Sequence, residues 1–480
     1  MEHILTITDE AWKIIQSRFT DNNGCEHLFA GLLTINETPD RREFFLKEII
    51  KPEQSDYMEQ SACIITIEPD FMANLLLKSK HHGGIFLMHN HLGSAVPSNV
   101  DDKHIQKALQ NAEDFRNGNF IIRSIWGTNG IFAEVMNAQM DDWTPIDFIK
   151  IIGDENMRIH YPINSQSEND DIDEERHNRT LNLLGEHGHE VLNLIGKLKW
   201  GFIGAGGTMS CFIYMMKFLG PKRCVIVDGD RIERSNANRL FGYRDGDDQK
   251  YKGDVMRREL LAYDPDMQIE VVNSFFPSQE ALSALKDCDI LICGPDNDFC
   301  RYHAAVIASR YWKVLLDFGS GIRLDKNTGI PLAIGSQARL QLPTKNGKCL
   351  ACLGLETDNL INPKIEDEIR QSSLQVGYIQ DSDLPTPVSV VTINAVIATI
   401  GVRMLLSYFS GIGKTPGYLI YDELGLQLRD VSSVLKKRED CPICGSGDNS
   451  TFGWGDDLPS SLKMMESTEE ITEEILDVCV

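Results

Sequence analysis

The sequence predicts an α/β protein in two parts, an N-terminal α/β domain followed by a Rossmann-like, doubly wound domain. Three observations point there. Apolar runs at 26–35 and 84–89 are interleaved with helix-patterned stretches in the first third, and runs at 199–204, 224–228, 289–293 and 313–317 alternate with helical stretches later. The first of the later runs leads into a glycine-rich turn, GAGG. Between the two parts, INSQSENDDIDEE has almost nothing to bury. The expected domains are therefore 1–160, a linker at 161–175, a second domain at 176–445, and an acidic, solvated tail at 446–480 with at most a short helix.

Composition narrows the function. With 480 residues, 42 % of them hydrophobic, the chain can bury sizeable cores. Its 71 acidic and 47 basic residues give a formal charge of −24, which opposes binding to nucleic-acid backbones and to anionic membranes. No stretch of about 18 uninterrupted apolar residues occurs, and the start, MEHILTITDEAWK, has neither the basic end nor the apolar run of a secretion signal, so a cytoplasmic location is expected. Twelve cysteines in so long a chain do not make a disulfide framework, and four of them form two CxxC pairs.

In chain order, the first element is an amphipathic helix from Asp9 to Phe19. Next, GGIFLMHNHLGSAVPSNVD starts with a buried strand, Ile85 to Met88, which ends by presenting His89 and His91 on one face; a helix pattern follows Ser98. Two imidazoles on one face can hold a zinc ion, with Asp101, brought round by the turn at Pro97, as a third ligand and one position left for water. Zinc lowers the pKa of that water, and a nearby carboxylate, Glu26 or failing that Glu37, can take its proton. HxH is common by chance, and Ser98 to Asp101 also fits a helix-capping box.

These residues resemble the JAMM (JAB/MPN+) metalloisopeptidase family, whose pattern is an upstream Glu, HxH, usually Pro, and a loop ending in SxxD. The resemblance covers roughly residues 1–150. It implies Zn²⁺ on His89, His91 and Asp101, Glu26 as general acid/base, Ser98 stabilising the tetrahedral intermediate, and cleavage after the C-terminus of ubiquitin-like proteins. Here Leu92 replaces the usual Pro and the loop is one residue short, which leaves Asp101 and Asp102 as alternatives for the third ligand.

The strand KWGFIGAGGTMS leads into a turn and a helix whose backbone N–H groups are aimed at phosphate, with Gly204, Gly206 and Gly207 giving close approach. The next strand ends at Asp228 and Asp230, where an acid can bind ribose hydroxyls. NAD and ATP both satisfy these features. The polar and charged set Asn236, Asn238, Arg239, Lys250, Lys252, Asp296, Asn297 and Arg301 favours ATP, because attack at an α-phosphate calls for cationic clamps and a carboxylate-held Mg²⁺. From ERHNRTLNLLGEHG to CPICG the chain resembles the adenylating domain of the ThiF/MoeB and ubiquitin-activating-enzyme family. The resemblance implies Asp230 on the ribose, Arg239 and Lys252 on the phosphates, Asp296 on Mg²⁺, Asn238 as auxiliary, Arg179 reaching a partner subunit's nucleotide in a homodimer, and transfer of AMP to the C-terminal carboxylate of a protein or peptide.

Cys349 and Cys352 in GKCLACLG, with Cys441 and Cys444 in EDCPICG, make a CxxC…CxxC pattern that closes a tetrahedral structural zinc site. An enzyme that also forms a thioester needs a free thiol, which many relatives carry a few residues before a glycine such as Gly377. Here QSSLQVGY has Ser372 and Ser373 in that neighbourhood. Cys25, Cys63, Cys211, Cys224, Cys288, Cys293 and Cys300 lie mostly in or beside apolar runs, as small buried hydrophobes do, and Cys479 lies in the tail. Together these readings describe a bacterial bifunctional enzyme that adenylates a ubiquitin-like protein and hydrolyses its (iso)peptide bonds, with a conjugating enzyme as a further partner. The alternative is a peptide-adenylating enzyme with a JAB-like binding module. ATP, Mg²⁺ and Zn²⁺ are the expected cofactors.

Overall fold

The computed structural model describes residues 1–20, 24–98, 119–137, 142–165, 172–325, 328, 330–355, 390–445 and 449–459. They form two units, one of residues 1–169 with 453–461, the other of residues 170–452 with 462–480. Asp101, Asp102, Ser372, Ser373 and Cys479 lie outside the described residues, as does the helix expected after Ser98.

Unit 1 begins with β1 (Glu2–Thr8) and α1 (Asp9–Phe19), whose N-terminus is capped by the Thr8 hydroxyl, which accepts the Ala11 N–H at 3.4 Å. Then come β2 (Leu28–Glu37), β3 (Arg41–Ile50), the short pair β4 (Tyr57–Gln60) and β5 (Ile65–Ile67), α2 (Pro69–Lys78) and β6 (Gly84–Asn90). The unit continues with β7 (Phe120–Gly127), β8 (Gly130–Asn137), β9 (Trp143–Pro145), β10 (Phe148–Ile152) and β11 (Met157–His160). One nine-stranded mixed sheet has the order β11-β10-β1-β3-β2-β6-β7-β8-β9. Alternation along β6 divides the core: Phe86 and Met88 join Trp12, Ile15 and Phe19 of α1, while Ile85 and Leu87 join Leu75 of α2. The expected linker starts later than its composition indicates. Ile163 donates its N–H to Ile131, and the Asn164 amide exchanges hydrogen bonds with the Ala133 backbone, so 161–165 pack within unit 1.

Unit 2 starts with α3 (Glu174–Leu184) and α4 (Gly188–Lys197). An alternating series follows: β12 (Lys199–Ile203), α5 (Gly207–Met216), β13 (Arg223–Val227), α6 (Lys252–Leu261), β14 (Gln268–Val272), α7 (Gln279–Lys286), β15 (Ile290–Cys293), α8 (Asp298–Arg310) and β16 (Val314–Leu324). After these come β17 (Pro331–Gln341), α9 (Val391–Ser410), β18 (Tyr418–Asp422) and β19 (Gln427–Asp430). The sheet order is β14-β13-β12-β15-β16-β17-β18-β19, parallel from β14 to β16 and antiparallel beyond. From β12 the chain runs outward through β13 and β14, then returns to the other side of β12 as β15. The strand order reverses between β12 and β15, and in such sheets ligands bind at the carboxyl ends of the strands beside that switch point.

One described helix, α9, is long and apolar enough to cross a membrane. More than half of it is buried, and the ring of Phe318 packs so closely on Gly401 that a Cβ there would lie 2.3 Å from it. Its apolar faces are therefore used inside unit 2. A second core feature is ionic: Asp317, with no exposure, accepts from Arg301 at 3.1 Å and from Arg339 at 2.7 Å.

The tail expected at 446–480 differs from its composition over 453–459. Trp454 is 6 % exposed and Leu458 3 %, both within unit 1.

Candidate functional site

The glycine turn of unit 2 is built for close approach. Gly204 has φ +93°, a left-handed conformation that disfavours side chains. A Cβ on Gly206 would meet nothing within 4 Å, whereas one on Gly207 would lie 2.3 Å from the Asn394 amide nitrogen. Asn394, buried at the start of α9, accepts the Thr208 hydroxyl at 3.0 Å and so ties the turn to that helix.

Asp228, at the end of β13, holds the turn from the other side. One carboxylate oxygen accepts the Ala205 N–H at 2.6 Å and the other accepts the Asp230 N–H at 2.8 Å. Burial lifts its carboxyl above the usual range, opposed by Lys252 and by these two N–H groups. Asp230 is half-exposed and forms an ion pair with Lys252, Nζ to Oδ2 at 2.5 Å. Of the two acids at this strand end, then, Asp228 bonds to the glycine turn, while Asp230 bonds to the lysine at the first position of α6.

Arg239 lies beside Gly207, with its Cδ 3.4 Å from the Cβ position there, and donates to the Ser235 carbonyl at 2.7 Å and to Asn238 at 3.2 Å. Asp296 is exposed just past β15, accepting from Asn297 at 3.3 Å. The turn, Asp228, Arg239, Lys252 and Asp296 thus follow β12, β13 and β15 at one end of the parallel sheet. Other members of the sequence set have structural roles. Arg301 is locked between Asp317, Asp298 and the carbonyls of Pro295 and Phe318; Lys250 pairs with Asp247; Asn297 caps α8. Asn236 closes a capping box with Glu233. Arg179 is exposed on α3.

The sulfur atoms of Cys349, Cys352, Cys441 and Cys444 all lie within 4.8 Å of one another, and all four residues are buried. Cys349 and Cys441 are 3.6 Å apart, Cys352 and Cys444 3.7 Å. Four sulfurs about 2.3 Å from a tetrahedral zinc ion would be separated by about 3.8 Å, so the cluster fits that ion. Around it, Gln341 accepts from the Leu350 N–H at 3.0 Å, and the Ser309 hydroxyl donates to the Ile443 carbonyl at 2.6 Å. The hydrogen bond from Cys349 brings the Cys352 thiol below its ordinary range.

In unit 1, β2 pairs with β6 with Leu28 opposite His89; Glu26 lies two residues before Leu28 and His91 two residues after His89. Side chains two apart on extended chain share a face, which puts Glu26 in line with the side of β2 that meets His89 if the extended backbone continues. The imidazole Nε2 atoms of His89 and His91 lie 3.0 Å apart, and His91 Nδ1 is 3.2 Å from the Ser94 carbonyl, which fixes the tautomer that leaves Nε2 its lone pair. Two zinc-bound nitrogens at about 2.0–2.1 Å would be about 3.3 Å apart, so the pair suits chelation. Glu26 is 6 % exposed, its backbone held by Ser61 and Gln60. Ser98 is exposed. Glu37 is overturned as an alternative base: it lies nine residues along β2 from the histidines, about 30 Å away, and pairs with Arg42.

The ThiF family model matches residues 177–443, more than half of the chain. The chain belongs to the ThiF family. Among curated ThiF relatives, a sulfur carrier protein adenylyltransferase of Thermus thermophilus is 26 % identical over 281 residues, covering 58 % of this chain and 92 % of that protein. A SAMP-activating enzyme E1 of Haloferax volcanii is 24 % identical over 253 residues, covering 51 % and 79 %. Among solved structures, E. coli MccB with MccA-N7isoASN aligns with a TM-score of 0.45 at 17 % identity, covering 56 % of this chain and 75 % of that one. The ThiF match takes in the glycine turn, every nucleotide-site residue described above and three of the four clustered cysteines; the histidine pair lies outside it.

The remaining described cysteines of this ThiF-family chain divide by exposure. Cys211, Cys224, Cys288, Cys293 and Cys300 are buried, and burial raises the thiols of Cys211 and Cys288 to about 11 and about 12. Cys25 is half-buried, and Cys63 is exposed, contrary to its expected place in a core.

Proposed function

We propose that unit 2 adenylates the C-terminal carboxylate of a ubiquitin-like or sulfur-carrier protein with ATP. The observation that carries this is the ThiF match over a glycine turn whose flanking Asp228, Arg239, Lys252 and Asp296 share one end of the parallel sheet. The names of the Thermus and Haloferax relatives support the reaction and the substrate class. In this reading the N–H groups of the turn and the α5 N-terminus receive phosphate oxygens. Asp228, with Asp230 beside it, faces the ribose, a revision of the sequence assignment to Asp230 alone. Arg239 and Lys252 exchange their present protein acceptors for phosphate, and Asn238 frees Arg239 as it turns. Asp296 would hold Mg²⁺, which when bound neutralises charge on the phosphates. A carboxylate oxygen of the substrate attacks the α-phosphorus, and the bond to pyrophosphate breaks with its electron pair leaving on pyrophosphate. ATP–pyrophosphate exchange that depends on an added ubiquitin-like protein tests this; exchange with no candidate protein or peptide would refute it. We place the enzyme in the cytoplasm as a homodimer, with Arg179 directed to the neighbouring subunit.

For unit 1 we infer zinc-dependent hydrolysis of ubiquitin-like (iso)peptide bonds. His89, His91 and Asp101 or Asp102 would hold Zn²⁺, which supplies an activated water when bound. Glu26 takes and returns a proton on the same face, and Ser98 donates to the developing oxyanion. Two zinc ions per chain, with cleavage of a ubiquitin-like fusion, are expected. One ion per chain would leave unit 1 as a binding module. A second reading, adenylation of a short peptide without a thioester, is favoured by Ser372 and Ser373 standing where many relatives have a cysteine. Comparing exchange on a peptide with exchange on a folded ubiquitin-like protein separates the two.

A further inference from the structure

Strand β2 of unit 1 is paired with β6 only as far as Leu33, opposite Gly84. Beyond that point the N–H groups of Ile35 and Glu37, two apart and therefore on one edge, meet no strand there among the described residues. Carboxylates receive them instead: Asp457 takes the Ile35 N–H at 3.0 Å, and Asp456 takes the Glu37 N–H at 2.9 Å. The same segment accepts the Thr34 hydroxyl at the Gly453 carbonyl, 2.6 Å, and presses Gly455 against the edge so closely that a Cβ would lie 2.2 Å from the Ile35 oxygen. Gly455 also has φ +53°, so glycine is required twice over. Trp454 anchors the contact. Lys47 Nζ sits 3.4 Å from its ring centre, and His82 stacks on it at 5.4 Å.

We propose that this half-open edge of β2 is a peptide seat for an aromatic–glycine–acidic–acidic segment, filled in this chain by its own residues 453–459 acting as a detachable strap. Recognition has three parts: a cation and an imidazole take the aromatic ring, the backbone edge takes two carboxylates, and the Ile35 oxygen admits only glycine between them. Ready release has its own signs. The buried Trp454 indole N–H has no acceptor among the described residues, an uncompensated cost of docking. The docked segment also leaves space beside it, a cleft of about 450 Å³ between Lys80, His81 and His82 on one wall and Asp456 and Asp457 on the other. The proposal depends on neither of the activities proposed above.

The test uses the full chain. The variant W454A/D456A/D457A empties the seat, and a fluorescent peptide of residues 449–459 is offered to it and to the wild type. The peptide is expected to bind the variant at least about tenfold more tightly, because the wild-type strap competes for the seat. Equal binding to both, or binding to neither, overturns the proposal. Should the variant fail to fold, hydrogen exchange on the unaltered chain decides. A detachable strap exposes the Ile35 and Glu37 amides by a local opening, at least about tenfold faster than the amides of β1 and independent of denaturant. Exchange of these amides only through the opening that exposes β1 overturns it.

Discussion

Two candidate metal centres in this chain differ in how far the protein closes them. In unit 2, four sulfurs from two distant CxxC pairs converge, all buried, with neighbouring loops hydrogen-bonded around them. In unit 1, the imidazoles of His89 and His91, two residues apart, meet at 3.0 Å, half-buried, with the Ser94 carbonyl orienting that of His91. A closed four-thiolate site spends every coordination position on the protein and serves the fold, whereas a site with few protein ligands leaves room for water and chemistry. Under the functions proposed above, the contrast between the centres is one between stability and reaction, and it can be measured.

The largest expected effect is at the cluster. Zinc held by four thiolates contributes on the order of 10 kcal/mol of folding free energy near neutral pH. Cys441→Ser should lose that ion and unfold unit 2 or lower its melting temperature by more than about 10 °C, followed by metal content and thermal melts. His89→Ala should remove the other ion and move the melt little. Equal thermal losses from the two variants would erase the distinction.

Next in size are the effects on activity. Asp296→Ala should lower ATP–pyrophosphate exchange by about 10²–10³-fold, the usual loss when a group stabilising transition-state charge is removed, while sparing cleavage of a ubiquitin-like fusion. His89→Ala should do the reverse. One substitution that stops both reactions would mean the two units do not carry independent sites.

How much of this was legible in the sequence depends on the range of the interaction. Helix α1, the buried strand β6, the glycine turn and the CxxC pairs are local patterns, and they stand where the sequence sets them. What the sequence left equivalent is separated by partners elsewhere along the chain. Arg301 resembles a phosphate clamp until Asp317, sixteen residues on, takes its guanidinium. Asp228 and Asp230 are equivalent acids until the fold gives one the Ala205 N–H and the other Lys252. Trp454 lies in an acidic, glycine-rich stretch that reads as solvated, because its seat is formed by residues some 400 positions earlier.

A smaller effect should appear in the pH dependence of stability. His303, on α8 between the rings of Phe299 and Tyr302, has its imidazole pushed down to about 4 by burial, from an ordinary 6.5. Between those values the unfolded chain binds a proton that the folded chain refuses, so stability falls as pH drops from 6.5 toward 4 and levels off below. The loss is up to about 3 kcal/mol. His303→Leu should flatten that window in denaturant titrations. Asp247, held well below the carboxylate range chiefly by Arg258, is a depressed acid whose contribution disappears only as pH falls below that range, so the two effects separate.

The smallest effects on stability, and the sharpest on ligand, come from the glycine turn. Gly207→Ala must displace the Asn394 amide and should cost about 1–3 kcal/mol. Gly204→Ala places a side chain at φ +93° and should cost about 1–2 kcal/mol. Gly206 has φ −71° and ψ −166°, a conformation open to any residue, and an added methyl there meets no protein atom within 4 Å. Gly206→Ala should therefore melt within about 1 °C of wild type yet bind ATP at least about tenfold more weakly in calorimetry, because the methyl occupies the space a phosphate needs beside the α5 N-terminus. Unchanged ATP affinity in this variant would place the nucleotide elsewhere, and the reading of Arg239, Lys252 and Asp296 as its clamps would fail with it.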